Sequence, residues 1–246
     1  MERAPSQPLL RIASPALSYL AVAAVALVLW GYVVLPLFAT VRESAAGPHG
    51  LTLEQYRAFF SIEHPANIEA LGTSLWISVL SVLTTGAVGV TLGFLLNRIE
   101  FPGRRLIEIV SLVPLALPPL IGVLTFVFLY AESGIVPRGL QALFHLKESP
   151  FALRGLWGVI VVHTFTMYPY FYLATATALA ALDPSLEEAA GNLGASRLQV
   201  WTRVILPLLT PALVAGSLLV FMVSMASYTA PLIFGVDRTM TMQIYI

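Results

Sequence analysis

The stretch DPSLEEAAGNLGASRLQVWTRVILPLLTPA, residues 183–212, sets charges, caps and glycines between two apolar runs, 155–182 and 205–234. Each run reaches the roughly 20 mostly apolar residues that cross a bilayer, so the polar piece between them reads as a loop returned to water. Asp183 or Ser185 can cap a helix start there, Pro184 suits the first helical position, and Ser185 with Glu188 has the spacing of a capping box. Leu186, Ala190 and Leu193 fall on one helical face and Gly194 supplies a stop. A second short helix is expected from Ser196, with Leu198, Trp201 and Ile205 on one face, until Pro207 and Pro211 lead the chain into the membrane. Two short helices joined at a glycine predict a rigid knob.

Working outward, the whole 246-residue chain is 58 % hydrophobic and 11 % charged, with a mean hydropathy of +0.84. Those values lie far from soluble averages and predict an all-α integral membrane protein. Thirteen basic residues balance thirteen acidic ones, which gives no electrostatic footprint for a nucleic acid. Five apolar runs can be read as spans: 16–39, 72–96, 106–130, 155–182 and 205–234. The first follows Arg3 and Arg11 as a signal peptide would, but it exceeds the roughly 7–15 residues of a signal h-region and reads as a retained anchor helix. The expected fold is a bundle of about five transmembrane helices. Residues 1–69 form an anchor helix and an outside loop, and residues 70–246 the core.

Orientation should follow Lys and Arg in short loops. Arg3, Arg11, Arg98, Arg104, Arg105, Arg197 and Arg203 fall on one side of the five-span arrangement; Arg42, Arg57, Arg138, Lys147, Arg154 and Arg238 fall on the other. The first set sits in shorter segments, which places the N-terminus and the 183–204 loop in the cytoplasm.

Within the spans, Asp, Glu, Lys and Arg are missing from the deep positions, so there is no intramembrane charge to mark a proton relay or ion site. His163, beside Thr164 and Thr166, is the one deep titratable group and reads as a neutral imidazole satisfied by a neighbouring helix rather than as a ligand. Pro114, Pro118 and Pro119 crowd one span and predict a kink or break. Gly86, Gly89 and Gly93 allow close helix approach, with Gly89 and Gly93 at G-x-x-x-G spacing. Ordinary packing and a translocation path account for these two stretches equally. Zinc-protease, serine-hydrolase and P-loop motifs are absent, so any energy for work should come from another subunit, and no metal site is expected.

The knob is open to other readings. Trp201, Arg197 and Arg203 would suit an interfacial helix among lipid headgroups, whereas a DNA-reading helix-turn-helix would be tethered to the bilayer with only two arginines. One further likeness is carried by specific residues. EEAAGNLGASRLQVWTRVILP resembles the cytoplasmic EAA loop of permease subunits of binding-protein-dependent ABC importers: E-A-A, three residues, Gly, nine residues, then I-x-L-P. Glu188, Ala189, Ala190, Gly194, Leu206 and Pro207 match, and Val204 stands where that family prefers Ile.

The resemblance implies a coupling helix seated in a cleft of a cytoplasmic ATPase dimer. Glu188 would be the acidic anchor, Gly194 the turn, Ala189 and Ala190 the small contact surface, and Arg197 a supplement. It also implies a periplasmic or lipid-anchored solute-binding protein, a second permease half, and a multi-pass location in the bacterial inner membrane. ATP and Mg would sit on the partner, with no cofactor on this chain. The flanks are most similar to permeases of the ferric-iron group, with polyamine, phosphonate and thiamine permeases close behind, so ferric iron is the expected solute. Met167, Tyr168, Tyr172, Ser224 and Tyr228 could face a path, although Tyr and Met in spans commonly serve packing. A membrane scaffold without transport is the competing class. In this family a sixth span would follow residue 246, so the chain is expected to be the first half of a fused permease.

Overall fold

The computed structural model describes residues 15–47, 50–61 and 65–245; Arg3, Arg11 and Ile246 lie outside these. The chain divides into two compact units, Met1–His64 and Pro65–Ile246. A boundary at 69/70 falls inside the helix that begins at Pro65.

The first unit is built on helix α1, Leu17–Ser44, whose apolar length suffices to cross a membrane. Every described side chain from Leu17 to Glu43 is exposed, which suits a helix apolar all round. A π-turn, Trp30–Val34, interrupts α1 just before Pro36. Proline lacks an N–H and its ring crowds the carbonyl four residues back, and a wider turn relieves both problems. After α1 come a two-residue strand pair, Ala46–Gly47 with Gly50–Leu51, and helix α2, Glu54–Phe59.

The second unit is organised around three long helices: α3, Pro65–Arg98; α8, Gly155–Ala180; and α10, Arg197–Met225. Helix α3 and helix α10 rank with α1 as long and apolar enough to span. Helix α8 has 26 residues, enough for a crossing at about 1.5 Å each, yet it carries His163, Thr164, Thr166, Tyr168, Tyr170 and Tyr172. It tolerates that polarity because its neighbours cover it: His163, Tyr168, Tyr172 and Thr175 are all buried.

The buried face of α3 is a stripe of small residues at helical spacing, Ala70, Ser74, Ser78, Ser81, Thr85, Gly89 and Gly93. It brings α3 against α8 so closely that a Cβ on Gly89 would stand 2.4 Å from the Tyr168 carbonyl oxygen, and one on Gly93 would stand 2.7 Å from Thr175 Cβ. Such close backbone approach is the usual solution for helices that have no hydrophobic effect to drive them together in lipid.

The span expected over 106–130 is instead three pieces: α4, Arg104–Val110; α5, Val113–Ala116; and α6, Pro119–Tyr130. The break sits at Leu117 (ψ 128°) and Pro118 (ψ 137°). Each precedes a proline, which pushes the preceding residue out of the helical region. The apolar stretch reaches membrane-crossing length only as Pro119–Leu143, after a turn at 131–134 and helix α7, Ile135–Leu143.

The span expected over 205–234 ends at Met225; helix α11, Thr229–Phe234, is separate and packs Phe234 against Gly158 at the start of α8. Helix α12, Met240–Tyr245, is tied to α3 by a hydrogen bond from the Met240 N–H to Ser74 Oγ at 2.9 Å. Ion pairs mark the two ends of this unit. Glu69–Arg238 and Glu132–Arg154 lie at the end where α3 begins, and Arg98–Glu187 and Arg104–Glu108 lie at the end where it finishes.

Candidate functional site

Two places gather the sequence-derived candidates. The first is the 183–207 segment. Asp183 caps helix α9, Pro184–Asn192, by accepting a hydrogen bond from the Ser185 N–H at 2.9 Å. That bond holds the Asp183 carboxyl below the usual carboxylate range. The cap is therefore Asp183, and the capping box assigned to Ser185 and Glu188 belongs instead to Ser196 and Gln199, one helix later.

The C-terminus of α9 closes in a Schellman turn. Gly194 takes φ +83°, its N–H donates to the Gly191 carbonyl, and the Ala195 N–H donates to the Ala190 carbonyl at 3.1 Å. The second short helix of the expected knob has no separate existence. From Arg197 the chain runs through a π-turn, Trp201–Ile205, directly into α10, with Pro207 at its second α-helical position. The same device precedes Pro36 and for the same steric reason. A segment continuous with a span is stiffer than a hinged one.

The knob is anchored at its base. Arg98, the last residue of α3, pairs with Glu187, and Phe94 meets Trp201 edge to face with ring centroids 5.3 Å apart. Together with Gly191, Ala195, Arg197 and Val200 they line a cleft of about 440 Å³. The packed side is Val200, Trp201 and Ile205, beside Leu179 and Leu209. Leu198 is 72 % and Leu193 89 % exposed, so neither packs against the rest of the chain. Of the candidates, Glu188, Ala189, Gly194, Arg197 and Pro207 are exposed and Ala190 is half-buried.

The second place is a cavity of about 500 Å³ bounded by both backbone breaks of the unit, Pro114 to Pro119 and Ala226 to Thr229, with His163, Thr166, Met167 and Tyr170 of α8 between them. Met167 and Tyr228 line it. Tyr168 and Tyr172 do not; they pack with Leu96, beside the α3–α8 glycine seam. Ser224 lies behind the cavity, 3.2 Å from His163 Nδ1.

His163 is 2 % exposed and satisfied on both ring nitrogens: Ser81 Oγ stands 2.9 Å from Nδ1 and Ser227 Oγ 2.9 Å from Nε2. Ser81, Ser227, Thr166 and Arg98 carry these two places, and reading single residues had passed over them. The repeat of small residues along α3 was the available signal for Ser81.

A family model for the inner membrane component of binding-protein-dependent transport systems matches residues 89–246. The sulfate transport system permease protein CysT of Escherichia coli is 34 % identical over 169 residues, 69 % of this chain and 59 % of the relative. The molybdenum transport system permease protein ModB of Mycobacterium tuberculosis is 31 % identical over 191 residues, 75 % of this chain and 70 % of the relative. The chain thus spans less than two thirds of the sulfate relative's length. In fold, it is similar to a crystal structure of a bacterial ABC transporter involved in import of the acidic polysaccharide alginate, with TM-score 0.71 and 19 % identity over 94 % of this chain and 83 % of that one. Apolar spans, a capped loop between the last two long helices and the family match over residues 89–246 converge: the chain belongs to the inner membrane components of binding-protein-dependent transport systems.

Proposed function

We propose that the chain is the permease subunit of an ATP-driven importer, that residues 183–207 couple it to a cytoplasmic ATPase dimer, and that its solute is a small inorganic oxyanion of the sulfate or molybdate kind. The observation that carries the coupling role is the build of the knob: capped at Asp183, closed at Gly194, tied to α3 through Glu187 and Arg98, and continuous with α10. Glu188 and the bare Leu193 and Leu198 are all exposed on this segment, charge and apolar surface of the kind a protein partner can cover. Rigid attachment to two long helices is what would turn ATPase closure into movement of the bundle.

Sulfate and molybdate replace ferric iron as the favoured solute because relatives of 31–34 % identity are named as permease proteins of sulfate and molybdenum transport systems. The chemistry of the cavity agrees, since hydroxyl and imidazole groups line it rather than carboxylates. ATP and its Mg would be held by the ATPase, and a solute-binding protein and a second permease half would complete the assembly.

The test is uptake into proteoliposomes by the permease assembled with its ATPase and binding protein. Wild type should accumulate radiolabelled sulfate or molybdate only with ATP, and iron uptake without oxyanion uptake would sink the substrate assignment. Glu188→Lys should insert normally yet lose both bound ATPase and transport; undiminished transport would remove the coupling role.

A further inference from the structure

We infer that the cavity between the two helix breaks is a holding site for the transported oxyanion, with Ser227 its principal donor and Ser81 with His163 a positioning relay behind it. This rests on the oxyanion reading above.

Irregular backbone survives at membrane depth only when packed in protein or lining a wet cavity. Here the interruptions at Leu117–Pro118 and at Ala226–Tyr228 border the same space. Helix α8 fills the gap between them with its polar side, where His163 and Thr166 meet the cavity. The Thr166 hydroxyl is committed to the Val162 carbonyl at 2.8 Å. Of the other hydroxyls on the lining, Ser227 is the one within hydrogen-bond reach of His163, 2.9 Å from Nε2, so the imidazole decides where its hydrogen points.

A neutral imidazole donates from one nitrogen and accepts at the other. With hydrogen on Nε2, the ring donates to Ser227 Oγ, and the Ser227 hydrogen is then free to turn into the cavity. Nδ1 then accepts from Ser81, 2.9 Å away, or from Ser224, 3.2 Å away. With hydrogen on Nδ1, the Ser227 hydrogen is spent on Nε2 and the cavity receives only oxygen lone pairs. An anion selects the first arrangement. Its bonds run head to tail from Ser81 through His163 to Ser227 and on to the solute, each polarising the next in a water-poor setting.

The residues lining the cavity include no Lys, Arg, Asp or Glu. Donors without a countercharge hold a dianion long enough to pass it on without trapping it, as conduction requires. Tyr170 is also on the lining.

The test uses the complete transporter in proteoliposomes with sulfate and molybdate. Ser227→Ala and Ser227→Cys, the latter keeping volume but donating weakly, should each lower oxyanion transport at least about ten-fold, the scale of a lost hydrogen bond to a charged group. ATP hydrolysis stimulated by the loaded binding protein should continue, and Ser227→Thr should restore transport. The double variant Ser81→Ala, Ser224→Ala, which removes both donors to Nδ1 without touching the cavity lining, should lower transport in the same direction. Wild-type transport in Ser227→Cys overturns the inference, as does a Ser227→Thr variant as impaired as Ser227→Cys. Either result leaves the importer assignment standing. Failure of the wild-type complex to move any oxyanion overturns the assignment itself.

Discussion

Arg98 and Glu187, 89 residues apart in sequence, form a two-bond ion pair that joins the end of helix α3 to helix α9. Both side chains are about one third exposed, at 32 % and 30 %, so the pair contributes under about 1 kcal/mol to stability. Its value is geometric, because a bidentate guanidinium–carboxylate contact fixes orientation as well as distance. Arg98→Glu should accordingly leave thermal unfolding nearly unchanged but lower the solute moved per ATP hydrolysed. The exchanged double variant Arg98→Glu, Glu187→Arg should recover much of that ratio. A double variant no better than either single one would show that the contact plays no part in coupling.

The turn after α9 gives a second expectation. Gly194 has φ +83° and open space where a Cβ would lie, so a substitution there meets backbone strain rather than a clash. Gly194→Val should cost roughly 1–3 kcal/mol of local stability, whereas Gly194→Asn, whose short polar side chain tolerates the left-handed region, should be mild. Hydrogen exchange at the Ala195 amide, which closes the turn onto Ala190, measures the difference. At the other end of α9 the depressed Asp183 carboxyl fixes a sign. Its cap is fully present above the ordinary carboxylate range and fades only as pH falls through the lowered value. Asp183→Asn should keep α9 capped and abolish that acid dependence of exchange at the Ser185 amide.

Close packing of α3 on α8 separates two glycines that look alike in sequence. A Cβ on Gly89 would lie 2.4 Å from the Tyr168 carbonyl oxygen, a backbone atom that cannot yield, while one on Gly86 would touch only the Phe171 ring at 3.4 Å. Gly89→Ala should destabilise the bundle by about 1–3 kcal/mol, and Gly86→Ala by much less. Thermal unfolding of the two variants in detergent decides the matter; equal melting would mean that the helices do not meet at this seam.

The gross fold was legible because its causes are local. Apolar length marked the spans, Pro118–Pro119 marked the break, and Asp183, Pro184 and Gly194 marked the ends of α9. What escaped depends on partners distant in sequence. The role of Glu187 depends on Arg98, which reaches it from α3. Periodicity put Leu193 and Leu198 on apolar helical faces without saying what those faces meet, and the chain leaves both bare. The run 205–234 was read as one span because apolar composition does not reveal the stop at Met225. Ser81 and Ser227 were invisible because serine in a span ordinarily bonds its own backbone, and only tertiary contact directs both onto His163.

The placement of ion pairs carries the last expectation. Glu69–Arg238 and Glu132–Arg154 lie at one end of the second unit and Arg98–Glu187 and Arg104–Glu108 at the other, so helix α9 and the 131–154 connection face opposite sides of the membrane. An ATPase partner requires the α9 end to be cytoplasmic. The chain contains no cysteine, so single introduced thiols report unambiguously. Glu148 and Asn192 are both exposed. In intact cells a membrane-impermeant maleimide should label Glu148→Cys and leave Asn192→Cys untouched, and after permeabilisation both should react. Labelling of Asn192→Cys alone in intact cells would put Glu188 on the side that has no ATP, and the coupling assignment would fall with it.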